Sequence, residues 1–300
     1  MPEPPPTPRS ASDVWTVGRI LEWTTQHLKT HGSESPRLDA QVLLAHARGC
    51  PRIKLYTEFN EVLSDDQRAM MRELVKRRAA AEPVAYLVGH REFFSLEFQV
   101  TRHVLVPRPE TEMLVLEVAE RAKSLPAPKI LDIGTGSGCI AVSLATQLPA
   151  AHVTAVDISE PALRIAEENA ERHRVADRMR FLLGDLFAPV PSGETFDFIV
   201  SNPPYVATEE MESLPPDVRK HEPRLALDGG PGGLAVLSRL LAEAPPFLNP
   251  GGWMFLEFSP EQAEPLRALA VRQSAFSQVE VIKDLSGKAR VLAVRMRTTG

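Results

Sequence analysis

The feature that most restricts the fold is Ile130-Leu-Asp-Ile-Gly-Thr-Gly-Ser-Gly-Cys139, an apolar strand running into a glycine-rich loop and then a helix start. Glycines at 134, 136 and 138 permit sharp turns and let the backbone approach a ligand with no Cβ in the way. Strand-like apolar runs occur at 130–133, 153–156, 181–183, 196–200, 253–258, 279–282 and 291–294, with helical stretches between the early ones. That alternation predicts an α/β fold, a seven-stranded and mostly parallel sheet with both faces covered. Ligands of such sheets bind beyond the carboxyl ends of strands, where the chain order reverses.

Residues 13–88 read instead as a small helical domain of four or five helices. Val14, Val17, Ile20, Leu21 and Leu28 follow a roughly helical spacing that Gly32 ends. Ser35-Pro36 is an N-cap followed by proline at the first helical position, and Leu38, Val42, Leu43 and Leu44 supply an apolar face before Gly49. Ser64-Asp-Asp-Gln67 is a capping box ahead of Met70, Met71, Leu74 and Val75. Residues 89–107, with Phe93-Phe-Ser-Leu-Glu-Phe-Gln-Val100 and Val104-Leu-Val106, predict a β-hairpin linker. The sheet domain then occupies 108–300, and residues 1–12 read as a flexible proline-rich tail.

Composition narrows the function classes. No apolar run approaches the roughly 18 residues of a membrane span, and the start, Met1-Pro-Glu-Pro-Pro-Pro, lacks a secretory layout. Cys50 and Cys139 have no framework or metal spacing, which predicts a reducing cytoplasm. The net charge is −5, and the first 85 residues hold 12 Lys/Arg against 11 Asp/Glu. Overall electrostatics therefore do not support stable nucleic acid binding. His27 and His31 have metal-pair spacing without a third ligand, so no metal site is expected. Lys76-Arg77-Arg78 reads as a solvated helix end that could steer an acidic partner.

The glycine loop discriminates among ligands. A dinucleotide fingerprint needs its third glycine at position 139, where Cys139 stands. The run Asp132-x-Gly134-x-Gly136-x-Gly138, with Thr135 and Ser137 interleaved, resembles the first motif of class I S-adenosylmethionine-dependent methyltransferases. Asp157 closes the next strand, where a carboxylate can accept from both ribose hydroxyls. Asp185 and Leu186 end the third strand, where that class contacts adenine.

Ser201-Asn-Pro-Pro-Tyr205 ends the fourth strand. An amide nitrogen is a poor nucleophile because its lone pair is delocalised, so it must be held in position. A primary amide offers two N–H donors, and the Asn202 side-chain oxygen and the Pro203 carbonyl can accept one each. Prolines 203 and 204 stiffen the loop, and the Tyr205 ring can pack against a flat substrate group. The motif alone leaves open a glutamine amide or the exocyclic amine of adenine, since both are planar NH₂ groups.

Over nearly its whole length the sequence resembles the release factor glutamine methyltransferases, the PrmC/HemK family. The matching segments are Leu38-Asp-Ala-Gln-Val-Leu-Leu-Ala45, Val104-Leu-Val-Pro-Arg-Pro-Glu-Thr-Glu112, the glycine loop, Asn202–Tyr205, Glu222-Pro-Arg-Leu-Ala-Leu-Asp-Gly-Gly230 and Lys283-Asp-Leu-Ser-Gly287. One departure is Ser259, where the family usually has glycine. The resemblance implies a cytoplasmic monomer with a helical N-terminal domain that binds class 1 release factors. The implied reaction methylates the glutamine N5 of their Gly-Gly-Gln loop, using S-adenosylmethionine. It places cofactor contacts at the glycine loop, Asp157, Asp185, Leu186 and Asn202. Substrate contacts fall at Asn202, Pro203, Pro204 and Tyr205, with Arg108 and Glu110 beside the site. The competing readings are an adenine N6-methyltransferase acting on RNA or DNA, and a binding module without turnover. A basic, aromatic-bearing surface would favour the former, and the intact Asn202 argues against the latter.

Overall fold

The computed structural model describes residues 14–298, so the tail expected at 1–12 lies outside the described residues. The chain divides into two units, Met1–Val88 and Gly89–Gly300.

The first unit holds five helices among the described residues: α1 (Val17–Thr30), α2 (Pro36–Arg48), α3 (Lys54–Thr57), α4 (Asp65–Ala79) and α5 (Val84–Val88). Local chemistry sets their ends. The Thr16 hydroxyl accepts from Arg19 N, Gly49 ends α2 in the left-handed region at φ 62°, and Ser64 with Gln67 forms the expected capping box. Ser35 precedes α2 but its side chain makes no capping hydrogen bond. Leu38 is 48% exposed, whereas Ala40, Leu43, Leu44 and Ala47 are buried. Those four positions form an i, i+3, i+4, i+7 stripe, and Leu38 lies off it. Met70 is likewise exposed, and the core takes Met71, Leu74 and Val75. His27 and His31 stack in line with Trp23.

The second unit opens with a hairpin, β1 (His90–Phe93) and β2 (Leu96–Gln99). Its turn, Phe94-Ser95, has φ of 51° and 59°, the mirror-image geometry that suits hairpin twist. Neither residue is glycine, at a cost of about 1 kcal/mol each. Phe93 and Phe98 are fully buried, and Phe94 N donates to Glu112 Oε1 at 2.8 Å. The segment Val104-Leu105-Val106 is not a strand. Val104 N turns back onto Thr101 O, and prolines at 107 and 109 offer no ladder donor.

There follow α6 (Glu112–Ala122), β3 (Lys129–Ile133), α7 (Cys139–Gln147), β4 (His152–Asp157), α8 (Glu160–Arg172), β5 (Met179–Leu183) and β6 (Phe196–Ser201). The chain continues through α9 (Pro216–His221), α10 (Ala235–Glu243), β7 (Leu248–Glu257), α11 (Ala263–Arg272), β8 (Phe276–Lys283) and β9 (Ala289–Met296). The seven strands of the main sheet lie in the order β5-β4-β3-β6-β7-β9-β8. Pairs from β5 to β7 are parallel, and β9 runs antiparallel to both β7 and β8. This is the expected seven-stranded, mostly parallel α/β sheet.

Alternate residues of the strands enter different cores, as a period of two dictates. Ile130, Val153, Phe198, Phe255 and Ala293 join one cluster with α6 and α7. Leu131, Val156, Ile199, Leu256 and Leu292 join another with α10 and α11. Each fully buried Leu, Ile or Phe contributes about 1.5–3 kcal/mol. Successive strands from β3 lie to one side and β6 and β7 to the other, so β3 and β6 flank the point of reversal. The carboxyl ends of the strands there open a crevice.

Candidate active site

The glycine loop leaves β3 at that crevice. Gly134, Gly136 and Gly138 have φ of 72°, 57° and 77°, left-handed values that L side chains rarely adopt. Gly134 N and Thr135 N both donate to Val156 O, at 2.8 and 3.0 Å. Ser201 Oγ donates to Ile133 O at 2.6 Å, tying the end of β6 to the start of the loop. Asn169 of α8, fully buried, donates through Nδ2 to Ser137 O at 2.9 Å and to Gln99 O at 3.0 Å. It therefore braces the loop against the hairpin.

Asp157 ends β4 opposite the loop. Its Oδ2 accepts from Gly136 N at 2.8 Å and its Oδ1 from Ser159 N at 2.9 Å. Burial raises its pKa above the ordinary carboxylate value, and these backbone N–H groups oppose the rise. Asp132 lies behind the loop, fully buried, with Oδ2 accepting from Thr135 Oγ1 at 2.7 Å. Burial pushes it up to about 7, the Thr135 hydrogen bond opposing and the Asp157 charge adding. Cys139 is also buried and is pushed up to about 12 by desolvation, so it is an inert thiol rather than a nucleophile.

These elements border a cleft of about 390 Å³, within the range of small-molecule sites. Gly134, Thr135, Gly136, Ser137 and Asp157 line it from one side. Asp185, Leu186, Arg108, Asn202 and Pro204 also reach it. Leu186 sits at φ 48°, a strained value of the kind that gathers at ligand sites. Asp132, Gly138, Glu110, Pro203 and Tyr205 do not line the cleft, and Glu110 is exposed. Arg239, which sequence reasoning missed, lines it and pairs with Asp185 at 2.9 Å.

Asn202 follows β6. Its Nδ2 donates to Thr111 Oγ1 at 3.0 Å, which leaves Oδ1 as an open acceptor. The Tyr205 hydroxyl donates to Glu257 Oε1 at 3.1 Å, and burial raises its pKa. Tyr205 O accepts from Gln262 Nε2 at 2.7 Å, and Val206 pairs with Asp228 as a parallel bridge. The loop is thus held by side chain and backbone from three other segments. Thr111, Glu257 and Gln262 were not singled out from sequence. Only Gln262 carried a local signal, as the last member of the capping box that Ser259 opens.

The cleft suits an adenosine-bearing sulfonium better than a dinucleotide. The acceptors Asp157 and Asp185 match hydroxyl and amine donors, whereas a pyrophosphate would lie beside the carboxylate of Asp157. Of the guanidinium groups on the cleft wall, Arg108 is paired with Glu222 and Arg239 with Asp185. Among the described residues no three His, Cys, Asp or Glu side chains cluster as a metal site, and no helix is long and apolar enough to cross a membrane.

Fold and cleft together define an S-adenosylmethionine-dependent methyltransferase of class I. Residues 19–89 match the PrmC N-terminal domain and 109–215 the methyltransferase small domain. The release factor glutamine methyltransferase of Rhodopirellula baltica is 50% identical over 94% of this chain and 96% of its own. That of Geobacter sulfurreducens is 43% identical over 95% and 98%. The chain belongs to the release factor glutamine methyltransferase family. A crystal structure of a methyltransferase from Pyrococcus furiosus shares the fold, with a TM-score of 0.51 and 22% identity over 75% of this chain and 99% of that one.

Proposed function

We propose that this chain methylates the side-chain amide nitrogen of the glutamine in the Gly-Gly-Gln loop of class 1 peptide chain release factors. The observation that carries the reading is the Asn202 amide, whose Nδ2 is held by Thr111 so that Oδ1 is left for an incoming N–H donor. The Pro203 carbonyl supplies the second acceptor, and Pro203 with Pro204 keeps the pair stiff. Two acceptors for two N–H donors fix the substrate amide in one orientation. Orientation of this kind can replace much of the entropy cost of bringing reactants together.

S-adenosylmethionine, when bound, supplies an activated methyl group on a sulfonium. Gly134 and Gly136 give the backbone close access to it, Gly138 turns the loop into α7, and Asp132, Thr135 and Ser137 shape the loop. Asp157 accepts from ribose hydroxyls, and Asp185 and Leu186 border the adenine. Arg108 and Glu110 flank the substrate entrance. Tyr205 orders the catalytic loop from behind through its hydrogen bond to Glu257.

Residues 13–88 act as the release factor-binding domain, 89–107 as a hairpin linker and 108–300 as the catalytic domain. A groove of about 530 Å³ in the helical unit, bordered by Trp23, Arg72 and Lys76, supports a protein-docking role for it. The enzyme works in the cytoplasm as a monomer, without stable nucleic acid binding.

The test uses purified chain, methyl-labelled S-adenosylmethionine and a purified class 1 release factor. Label is expected on the factor, and none on a factor whose loop glutamine is replaced by alanine. Label on tRNA or ribosomal RNA, with none on the factor, overturns the assignment.

A further inference from the structure

We propose that Gln262 is a positioning residue for methyl transfer, its side-chain amide tying down the downstream end of the Asn202–Tyr205 turn. The inference rests on the amide-transfer reading above and extends it to a buried residue that does not line the cleft.

Gln262 closes the short 3-10 turn Pro260–Gln262 ahead of α11 and is 7% exposed. Its Oε1 accepts from Ser259 N at 3.0 Å. Its Nε2 donates to Tyr205 O at 2.7 Å and to Gly232 O at 3.2 Å, carbonyls 57 and 30 positions away in the chain. A primary amide has two hydrogens on nitrogen and an acceptor oxygen, so these partners fit one orientation alone. The reversed amide would set Oε1 against two carbonyl oxygens and NH₂ against the Ser259 N–H.

The contact with Tyr205 O falls where the turn needs an anchor. Pro203 and Pro204 have no N–H to donate, and their φ angles are fixed. Upstream, Thr111 holds the Asn202 side chain. Downstream, the backbone is held at Tyr205 O by Gln262 and at Val206 N, which donates to Leu227 O at 2.9 Å. Residues 229–233 press on the turn from behind: a Cβ on Gly233 would collide with Tyr205 O, and one on Gly229 with Pro204 O. By bridging Tyr205 O and Gly232 O, Gln262 locks these two stretches of backbone together. With φ fixed at both prolines, a shift of the Tyr205 peptide plane passes to the Pro203 carbonyl instead of being absorbed. Gln262 thereby keeps that carbonyl in register with Asn202 Oδ1, the two acceptors that take up the substrate N–H groups.

The helix cap and the tether can be separated. Gln262→Glu keeps the side-chain length and an acceptor for Ser259 N, but its ionised form has no hydrogen for either carbonyl. Its protonated form has one. A carboxyl buried against two carbonyl oxygens titrates above the ordinary glutamate range. The charged groups facing it are Glu209, which accepts from Gly232 N at 3.3 Å, Glu257 on the Tyr205 hydroxyl, and the adjacent Glu261. Arg290 offsets Glu257 and Glu261. Acid therefore restores the tether in Gln262→Glu and does nothing of the kind in Gln262→Met.

The test measures the single-turnover rate of methyl transfer to saturating release factor, KM for the factor and S-adenosylmethionine affinity, in the full chain, Gln262→Glu and Gln262→Met. At about pH 9, where an ordinary carboxyl is ionised, both variants are expected to transfer methyl roughly 10- to 100-fold more slowly, the scale of a small misplacement. S-adenosylmethionine affinity should stay within about twofold of wild type, because Gly134, Gly136 and Asp157 keep their contacts, and KM should change less than the rate. At about pH 6 Gln262→Glu should recover most of its deficit relative to wild type, and Gln262→Met none. A wild-type rate in Gln262→Glu at the higher pH, a deficit that acid leaves unmoved, or a loss confined to KM overturns the proposal. Should Gln262→Glu not fold, Gln262→Met decides alone: the same slowing supports the tether, and an unchanged rate overturns it. A wild-type chain that places no label on the factor would refute the assigned reaction instead.

Discussion

Arg108 and Glu222 stand 114 positions apart in the chain, yet Arg108 Nη2 lies 2.7 and 2.8 Å from the two carboxylate oxygens of Glu222. The pair joins the Pro107-Arg-Pro-Glu segment to the Glu222-Pro-Arg segment at the edge of the cleft. The Glu222 side chain is 2% exposed and that of Arg108 is 33% exposed. Burial raises the Glu222 pKa and the Arg108 charge opposes the rise. The guanidinium thus neutralises a carboxylate that would otherwise be buried alone, and its remaining N–H donors are held at the entrance.

Arg108→Ala should therefore destabilise the chain by about 1–2 kcal/mol, less than a fully buried pair because the guanidinium is partly solvated. Glu222→Gln should cost less, since it removes the buried charge while keeping an acceptor. Chemical denaturation of the three proteins checks the order. Equal stability of Arg108→Ala and wild type would show the pair to be dispensable.

Asp157 serves the glycine loop and the ligand with one carboxylate. Its two oxygens already accept from Gly136 N and Ser159 N, and each keeps a lone pair for a ribose hydroxyl. Asp157→Ala should weaken S-adenosylmethionine binding by roughly 1–3 kcal/mol through lost hydrogen bonds. Calorimetric titration reads this directly, and unchanged affinity contradicts the ribose assignment.

Asn202→Ala separates binding from positioning. Loss of the Oδ1 acceptor should cut kcat by roughly 10²-fold or more, the scale for removing a positioned hydrogen-bond group. S-adenosylmethionine affinity should fall much less, because the glycine loop and Asp157 are untouched. Near-normal turnover in this variant would end the amide-clamp explanation.

What could be read in advance follows from how local each signal is. The seven strands were visible because β-branched and apolar residues cluster within each, and Gly134, Gly136 and Gly138 mark the loop within five residues. The placement of β9 between β7 and β8 was not visible, since no residue in one strand announces its neighbour. The hairpin turn at Phe94-Ser95 lacks the glycine or asparagine that normally signals left-handed backbone, so its position was blurred. Thr111 read as part of a helix start and Glu257 as a strand end. Their meeting with Asn202 and Tyr205 spans 91 and 52 positions, and burial, which gives Glu257 its chemistry, leaves no trace in its neighbours. Leu38 and Met70 show the reverse failure: apolar residues beside a core stripe that their helical phase turns outward.

Asp132 gives a pH signature of its own. Its folded pKa is raised to about 7 by burial, so between about 4 and 7 the native state keeps a proton that the unfolded chain has lost. Stability therefore declines as pH rises through that window and levels off above it. Asp132→Asn removes this dependence and keeps an acceptor for Thr135. Its melting temperature relative to wild type should be about 2 °C or more higher at pH 8 than at pH 5. Parallel melts at both values check it, and a difference that ignores pH would mean the carboxyl titrates normally.

The catalytic turn is also shaped from behind by glycines far along the chain. Gly233 has φ of 69°, and a Cβ there would stand 2.1 Å from Tyr205 O and 2.3 Å from Gln262 Nε2. At Gly229 a Cβ would meet Pro204 O at 2.7 Å. Neither gap can be opened by rotating a side chain, because the nearest obstacle is backbone of the loop that carries Asn202 and Tyr205. Gly233→Ala must therefore either displace Tyr205 O from Gln262 or strain its own left-handed backbone. Turnover should drop roughly 10²-fold, the cost of shifting reacting groups by about 1 Å. S-adenosylmethionine should still bind, since the glycine loop, Asp157 and Leu186 belong to other strands. A Gly233→Ala protein with wild-type kcat would mean that the turn tolerates displacement, and rigidity could then not be the source of its positioning.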